Sequence, residues 1–167
     1  RQYANSMSVR LGCIYSKAYI YVNRGINGIE GSLSTAAGYS LATDKDVYCV
    51  IGDLSFFYDQ NALWNRNIGG NFKILLLNNG GGAIFGKFDG LKESNARDNL
   101  VMAKHHTSAA GICIANHINY IEASNAEELK VGLDKFINMK TDSPTVLEVF
   151  TDAENDMNVI KEYYTKI

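Results

Sequence analysis

Four short runs of the chain are apolar almost without interruption, and they constrain the fold more than any other feature. The runs are YIYV, VYCVI, FKILLL and TVLEVF, at residues 19–22, 47–51, 72–77 and 145–150. A weaker fifth run occupies residues 118–122. Strands that are apolar on both faces are typical of parallel sheets covered on both sides. We therefore expect these runs to be the strands of such a sheet.

Segments with helical spacing separate the runs. The fourth segment has apolar residues at i, i+4, i+7 and i+8 counted from Leu129, and Ser124 and Asn125 precede it as candidate caps. The alternation of strands and helices predicts an α/β fold, a three-layer α/β/α sandwich around a mainly parallel sheet of five or six strands. The expected helical segments are residues 31–42, 60–67, 108–115, 126–139 and 152–164.

Length and charge narrow the class of protein. A chain of 167 residues fits one domain that can bury roughly 70% of its unfolded surface. Sixteen basic and eighteen acidic residues are scattered along it, which argues against nucleic-acid binding. No apolar run approaches the roughly 20 residues of a membrane span, and the chain does not open with a signal sequence. These features predict a cytoplasmic protein.

The cysteines and histidines are expected to be structural. Three cysteines, an odd number, lie in apolar surroundings and are predicted to be buried thiols. The spacing of the histidines does not match a zinc signature, which favours structural or capping roles. The residues concerned are Cys13, Cys49, Cys113, His105, His106 and His117.

The loops after the strands are the places to look for chemistry, because ligands bind at the carboxyl ends of parallel strands. The loop after the first run holds Gly25, Gly28 and Gly31, a pattern that a plain tight turn would also give. Asp53 follows the second run and is followed by Ser55. A carboxylate there can bind a hard cation, and the alternative is a helix cap.

Two asparagines and three glycines follow the third run, at residues 78–82. Amide and carbonyl oxygens suit Mg²⁺, which takes about six oxygen ligands and commonly includes a carboxylate and substrate phosphates among them. Asn78 lies 25 residues after Asp53, which leaves room for a helix and a return strand. The spacing therefore brings both loops to one edge of the sheet.

This arrangement of Gly-Asp and Asn-Asn at two strand ends resembles the metal-diphosphate motif of thiamine diphosphate enzymes. The stretches NRGINGIEGSLSTAAG, GDLSFFYDQNAL and NNGGGAIF together resemble the C-terminal cofactor domain of the 2-succinyl-5-enolpyruvyl-6-hydroxy-3-cyclohexene-1-carboxylate synthase family of menaquinone biosynthesis. The resemblance covers residues 5–85, about half of the chain. Leu54 replaces the glycine of the broad motif, as is usual in this family, and so favours it over pyruvate decarboxylase or acetolactate synthase.

The resemblance implies a role for several of these loop residues. Asp53, the side chain of Asn79 and the carbonyl of Gly81 would hold Mg²⁺, with Mn²⁺ as an alternative. Leu54 and Ser55 would contact the diphosphate of the cofactor. The residues beside the rest of the cofactor would be Asn27, Gly28 and Ile29, of which Ile29 would bend it, unless it is an ordinary core residue.

A second set of residues would line the substrate cavity. Arginine suits this role because its planar guanidinium binds carboxylates through two hydrogen bonds. The alternative for both arginines is a solvated surface position, and Asp59, within the family-like YDQNAL, is explained as an acid at a helix start. The implied substrate-binding residues are Ser6, Arg10, Arg24, Ile84 and Phe85.

The family reaction is a transfer in which 2-oxoglutarate is decarboxylated and the succinyl carbanion equivalent is added to isochorismate. The activating glutamate is expected on the N-terminal domain of a neighbouring subunit, so this chain is expected to hold no catalytic residue and to be inactive alone. Residues 1–167 would be the C-terminal cofactor domain of a three-domain homodimer or homotetramer. The alternatives are another thiamine diphosphate decarboxylase or carboligase, and a noncatalytic phosphate-binding α/β module.

Overall fold

A parallel sheet of six strands forms the centre of the molecule, in the order β2-β1-β3-β4-β6-β5. The computed structural model describes residues 1–25, 28–87, 90 and 93–166. The predicted α/β fold is confirmed, with six strands in the described residues. The strands are β1 (Gln2–Tyr3), β2 (Tyr21–Val22), β3 (Val47–Gly52), β4 (Phe72–Asn78), β5 (Asn119–Ala123) and β6 (Thr145–Phe150).

Helices cover the sheet. Short 3₁₀ segments at Gln60–Trp64 and Ala83–Lys87 and a π-helical turn at Arg97–Val101 occur between them. None of the helices that the structure describes is long and apolar enough to span a membrane. The α-helices are α1 (Met7–Tyr15), α2 (Ser32–Leu41), α3 (Asp53–Tyr58), α4 (Ala110–Ala115), α5 (Ala126–Asn138) and α6 (Ala153–Thr165).

Two apolar clusters lie on opposite faces of the sheet, which explains why the strands are apolar nearly throughout. Successive side chains of a strand point to opposite faces. Ile74 of β4 packs with helices α2, α3 and α4 on one face, and its neighbour Leu75 packs with α5 on the other. Burying each such side chain contributes about 1.5–3 kcal/mol. The three-layer prediction therefore follows from the same pattern that identified the strands.

Lys73 is the charged exception inside β4. Its side chain is 1% exposed, and its ammonium donates to the Ile137 carbonyl at 2.7 Å and lies 3.6 Å from an Asp46 carboxylate oxygen. The carbonyl lies in the last turn of α5, where a helix favours positive charge. A strand that contains a lysine can therefore be fully buried, because the ammonium group has these partners.

The N-terminal region differs from the prediction. Strand β1 and helix α1 were not predicted, and only the last two residues of the first apolar run form a strand. A two-residue strand has no measurable periodicity, and α1 contains Gly12, which weakens a helical pattern. The predicted helix over 60–67 is a 3₁₀ segment, whereas α5 begins as expected, with the Asn125 side chain accepting from the Glu128 amide.

The three thiols differ in their environments. Cys49 and Cys113 are buried as predicted, but the prediction is wrong for Cys13, which is exposed because α1 buries Ser8, Val9 and Gly12 instead. Burial raises the pKa of both Cys49 and Cys113 to about 12. Since the thiolate is the reactive form, only Cys13 should react readily at pH 8.

We expect a maleimide to modify one thiol per chain within minutes under native conditions and all three in denaturant. Peptide mass mapping would identify the modified residue. Equal labelling rates for two or more cysteines in the folded chain would contradict this assignment.

Candidate functional site

The carboxyl ends of β3 and β4 place two polar loops side by side. These strands are neighbours, and Gly52 pairs with Leu77 in their register. Asp53 and Asn78 therefore follow directly from paired positions. The expectation that the aspartate and asparagine loops share one edge of the sheet is confirmed.

Asp53 is the buried carboxylate of this edge, only 4% exposed. One oxygen accepts from the Leu54 amide at 2.7 Å and the other from the Gly81 amide at 2.8 Å. Burial raises the pKa of Asp53, although these amides and the nearby His105 act in the opposite direction. A buried carboxylate of this kind is stabilised in its charged form by a bound cation.

The glycine loop after β4 has a backbone that few other residues could adopt. Gly80 and Gly81 have φ values of +78° and +150°. A Cβ on Gly81 would lie 2.7 Å from the Met102 carbonyl oxygen. The loop is bound to the segment over residues 102–105, because the Gly82 amide donates to the Met102 carbonyl and the His105 amide donates to the Gly80 carbonyl.

His105 lies at this site rather than in the structural role expected from the sequence. Its Nε2 is 3.3 Å from an Asp53 oxygen, and its ring meets the Phe57 ring edge-on. Nδ1 accepts from the Thr107 amide at 3.1 Å, which leaves Nε2 as the donor of the ring. Nε2 is buried and has no hydrogen-bond partner among the described residues, despite its proximity to Asp53. A buried N–H beside the Asp53 carboxylate, with no aligned hydrogen bond in the described structure, is available to a ligand at this edge.

Asn79 follows β4 directly at the same edge. Its Nδ2 donates to Asp156 Oδ2 at 3.0 Å, while Oδ1 receives no hydrogen bond from the part of the chain that the structure describes. The Gly81 carbonyl accepts from the Ala83 amide at 3.0 Å and keeps its second lone pair. Carboxylate, amide and carbonyl oxygens are the donor set of a hard divalent cation, so these residues fit Mg²⁺.

No cluster of three or more His, Cys, Asp or Glu side chains that could hold a metal occurs among residues 1–25, 28–87, 90 and 93–166. Metal binding at this edge would therefore depend on the mixed oxygen set. His106 is exposed, and His117 follows Asn116, the C-terminal cap of α4, with a φ of +57°.

Two asparagines, to which no sequence motif assigns a role, bind the described parts of the first glycine loop, residues 23–25 and 28–31. The Asn5 amide donates to the carbonyls of Asn23 and Gly28, and the Asn23 amide donates to the Gly31 carbonyl at 3.1 Å. Gly31 has a φ of +83° just before α2. Among the described residues, these tertiary hydrogen bonds distinguish the loop from a plain turn.

The residues predicted to lie beside the cofactor are found on these loops. Gly28 and Ile29 are partly exposed, and Ile29 belongs to neither apolar cluster, which argues against an ordinary core role. Ser55 is buried in α3 next to Asp53, and Leu54 is partly exposed. Asn27 lies outside the described residues.

The predicted substrate-binding residues lie in two groups. Ile84 and Phe85 form part of the 3₁₀ segment that follows the glycine loop, and Phe85 is exposed. Arg10 and Arg24 are exposed on the β1–β2 side of the sheet, where a surface role is equally compatible with their position. Ser6 precedes α1 with a φ of +70°, a strained conformation of the kind that occurs at functional sites.

Asp59 has a different role from the one expected. It stands at the start of the 3₁₀ segment but does not cap it. Its buried carboxylate instead accepts from the Ser34 amide at 2.8 Å and from the Ser34 hydroxyl, in the first turn of α2. It thereby joins the helix after the first glycine loop to the chain that follows Asp53.

Comparison with known proteins agrees with this geometry. The model of the family described as thiamine pyrophosphate enzyme, C-terminal TPP-binding domain, matches residues 6–149. A solved structure from Mycobacterium smegmatis, provisionally assigned as a thiamin diphosphate-dependent enzyme, superposes with a TM-score of 0.68 at 20% identity. The superposed part is 91% of this chain and 28% of the solved chain, and this similarity concerns the fold alone.

Curated relatives are more similar in sequence. A 2-succinyl-5-enolpyruvyl-6-hydroxy-3-cyclohexene-1-carboxylate synthase from Phocaeicola vulgatus is 46% identical over 165 residues, 96% of this chain. Proteins of the same name from Bacteroides fragilis and Bacteroides thetaiotaomicron are 44% and 43% identical over 98% of the chain. The chain spans about 30% of the length of each of these relatives. The resemblance found in the sequence motifs is confirmed, and the chain belongs to the family of C-terminal TPP-binding domains of thiamine pyrophosphate enzymes.

Proposed function

We propose that the edge formed by Asp53, Asn79 and Gly81 binds Mg²⁺, or alternatively Mn²⁺, and through it the diphosphate of thiamine diphosphate. The observation that carries the proposal is the buried Asp53 carboxylate, which shares one sheet edge with the Gly81 carbonyl and with Asn79, whose amide oxygen accepts no hydrogen bond from the described residues. The remaining positions around the metal would be left for diphosphate oxygens and water.

The surrounding residues would hold the rest of the cofactor. Leu54 and Ser55 follow Asp53, and their backbone and hydroxyl would meet the diphosphate. The buried Nε2–H of His105 would supply a further donor to it. Gly28 and Ile29 are held at the first glycine loop through Asn5, where a partly exposed isoleucine would support the bent cofactor. Asn27, which resemblance places in the same group, belongs to the proposal on sequence grounds alone.

We further propose that the chain contributes this site to a synthase that joins 2-oxoglutarate to isochorismate in menaquinone biosynthesis. The similarity to three synthases at 43–46% identity supports this. Thiamine diphosphate, when bound, supplies the electron sink for decarboxylation and carbon–carbon bond formation. Arg10 and Arg24 would bind substrate carboxylates because their exposed guanidinium groups are accessible to anions, and Ser6, Ile84 and Phe85 would complete the cavity.

The proposal extends to the assembly. Because the chain spans about 30% of these relatives, we place the activating glutamate outside this sequence, on the N-terminal domain of a neighbouring subunit. Residues 1–167 would then act as one cofactor domain of a cytoplasmic homodimer or homotetramer.

A synthase assay tests the proposed function. The 167-residue chain alone is expected to give no turnover of 2-oxoglutarate with isochorismate. A chimaera in which it replaces the matching C-terminal segment of the Phocaeicola vulgatus relative is expected to be active and to prefer 2-oxoglutarate to pyruvate. The unmodified relative is the positive control. Turnover by the isolated chain would contradict the division of the site, and a preference for pyruvate would contradict the substrate assignment.

A further inference from the structure

Asn79 can serve a metal with only one end of its amide. The oxygen of a primary amide can coordinate a cation or accept a hydrogen bond, whereas its NH₂ group can only donate. A rotation of the amide by 180° would turn the NH₂ group toward the site. Some neighbour must therefore favour one orientation, and neither Asp53 nor Gly81 contacts the Asn79 side chain by a hydrogen bond in the described structure.

Asp156 is that neighbour, 77 residues away in sequence. The Asn79 Nδ2 donates to Asp156 Oδ2 at 3.0 Å. A carboxylate is an acceptor only, so it selects the NH₂ end of the amide and rejects the oxygen end. We infer that Asp156 is a positioning residue, which holds Asn79 with its Oδ1 available to the metal. This inference rests on the proposed metal site.

The carboxylate of Asp156 is itself held in place. The Thr151 hydroxyl donates to the same Oδ2 at 2.8 Å, and the Thr151 amide donates to the Asn78 carbonyl at 2.9 Å. Asp152 caps α6 by accepting from the Asn155 amide at 2.8 Å. The start of α6 is therefore bound to the end of β4, from which the glycine loop begins.

Helix α6 also supports the segment that follows this loop. A Cβ placed on Gly86 would lie 2.9 Å from the Met157 sulfur, so α6 packs directly on the 3₁₀ segment Ala83–Lys87. Helix α6 thus contacts the chain on both sides of Gly81, at Asn79 and at Gly86. Partners that orient a metal ligand in this way commonly change metal affinity by 10- to 100-fold when they are removed.

The test compares three variants of the purified chain. Asp156→Ala removes the acceptor, and Asp156→Asn retains an oxygen that can accept from Asn79. Glu154→Ala is the matched control, because it removes a negative charge from the same turn of α6 and its exposed side chain has no described bond to Asn79. Mn²⁺ affinity is measured by the electron paramagnetic resonance signal of the free ion.

We expect Asp156→Ala to weaken Mn²⁺ binding by roughly 10- to 100-fold, Asp156→Asn to restore most of the affinity, and Glu154→Ala to stay within about twofold of the unmodified chain. In the metal-free chain, Asp156→Ala should also speed hydrogen exchange of the Asn79 side-chain NH₂ group, followed by NMR. Equal Mn²⁺ affinities and equal exchange rates in Asp156→Ala and Glu154→Ala would overturn the inference.

The Mn²⁺ measurement and the exchange measurement distinguish a failure of this inference from a failure of the proposed metal site. If the unmodified chain binds no Mn²⁺, the proposed metal site is overturned. The exchange measurement needs no metal and decides by itself whether Asp156 fixes the Asn79 amide. Unchanged exchange in Asp156→Ala would overturn the positioning role even if Mn²⁺ binds.

Discussion

Replacing Asp53 by asparagine is expected to lower the affinity for thiamine diphosphate in the presence of Mg²⁺ by on the order of 100-fold or more. This loss is larger than the roughly 10- to 100-fold loss expected when a residue that only orients a metal ligand is removed. Asp53 supplies the only charged oxygen of the proposed set, and the asparagine amide cannot offset the charge of the cation. Isothermal titration with thiamine diphosphate, with and without Mg²⁺, measures the effect. Asp44→Asn, an exposed aspartate on the loop before β3, is the control.

The same substitution separates ligand binding from folding. Burial raises the pKa of Asp53, so its charged form is disfavoured in the metal-free fold. Asparagine removes that charge and retains an oxygen for one of the two amides, so we expect the metal-free free energy of unfolding to stay within about 1 kcal/mol of the original value. Mg²⁺ with the cofactor should raise the melting temperature of the unmodified chain only. Metal-dependent binding that survives in Asp53→Asn would contradict the proposed site.

Replacing Glu148 by leucine is expected to cost about 3–5 kcal/mol of folding free energy, because several buried hydrogen-bond donors lose their acceptor. Glu148 lies in β6 and is fully buried. Its carboxylate accepts from the Asn78 amide at 2.7 Å, the Ser108 hydroxyl at 2.8 Å, the Tyr120 hydroxyl at 2.6 Å and the Ala109 backbone amide at 3.0 Å. Leucine would leave these buried donors without an acceptor, at about 1–3 kcal/mol for each that finds no other partner.

Glu148→Gln should cost less, because its oxygen can still accept from Asn78 and Ala109 while the two hydroxyls rotate to accept from its NH₂ group. Urea denaturation followed by circular dichroism gives the free energies of unfolding. Glu122→Leu, at an exposed position of the adjacent strand β5, is the control and should change stability by no more than about 0.5 kcal/mol. A loss below 1 kcal/mol in Glu148→Leu would show that the donors find other partners.

The sequence predicts those structural features whose evidence lies within one continuous stretch of the chain. Strands β3, β4 and β6 were predicted because both of their faces are buried, and Asp53 and Asn79 were located because they stand at strand ends. Glu148 was placed in a strand, but nothing in TVLEVF indicates full burial, since its four partners come from segments 28 to 70 residues away. Their convergence exists only in the folded chain.

The residues that sequence reasoning missed share this property. His105 lies in an irregular segment and reaches Asp53 only because residues 102–105 bind the glycine loop. Asp156 lies in the first turn of α6, where an acidic residue has a sufficient local explanation in the helix dipole. The prediction that Cys13 is buried is wrong for a related reason, because the apolar neighbours of Cys13 in α1 do not reveal which side of the helix packs on the sheet.

The strands differ in length along the sheet edge that carries the predicted site residues. We therefore expect two parts of this edge to differ in how readily they open locally. The proposed metal ligands follow β3 and β4, strands of six and seven residues in the interior of the sheet. Ser6 and Arg24 follow β1 and β2, which pair over only two residues at one margin. Fewer ladder hydrogen bonds must break to open that margin, so we expect the residues that follow β3 and β4 to resist local opening more strongly. We therefore expect the segments that carry Ser6 and Arg24 to open while β3 and β4 stay paired.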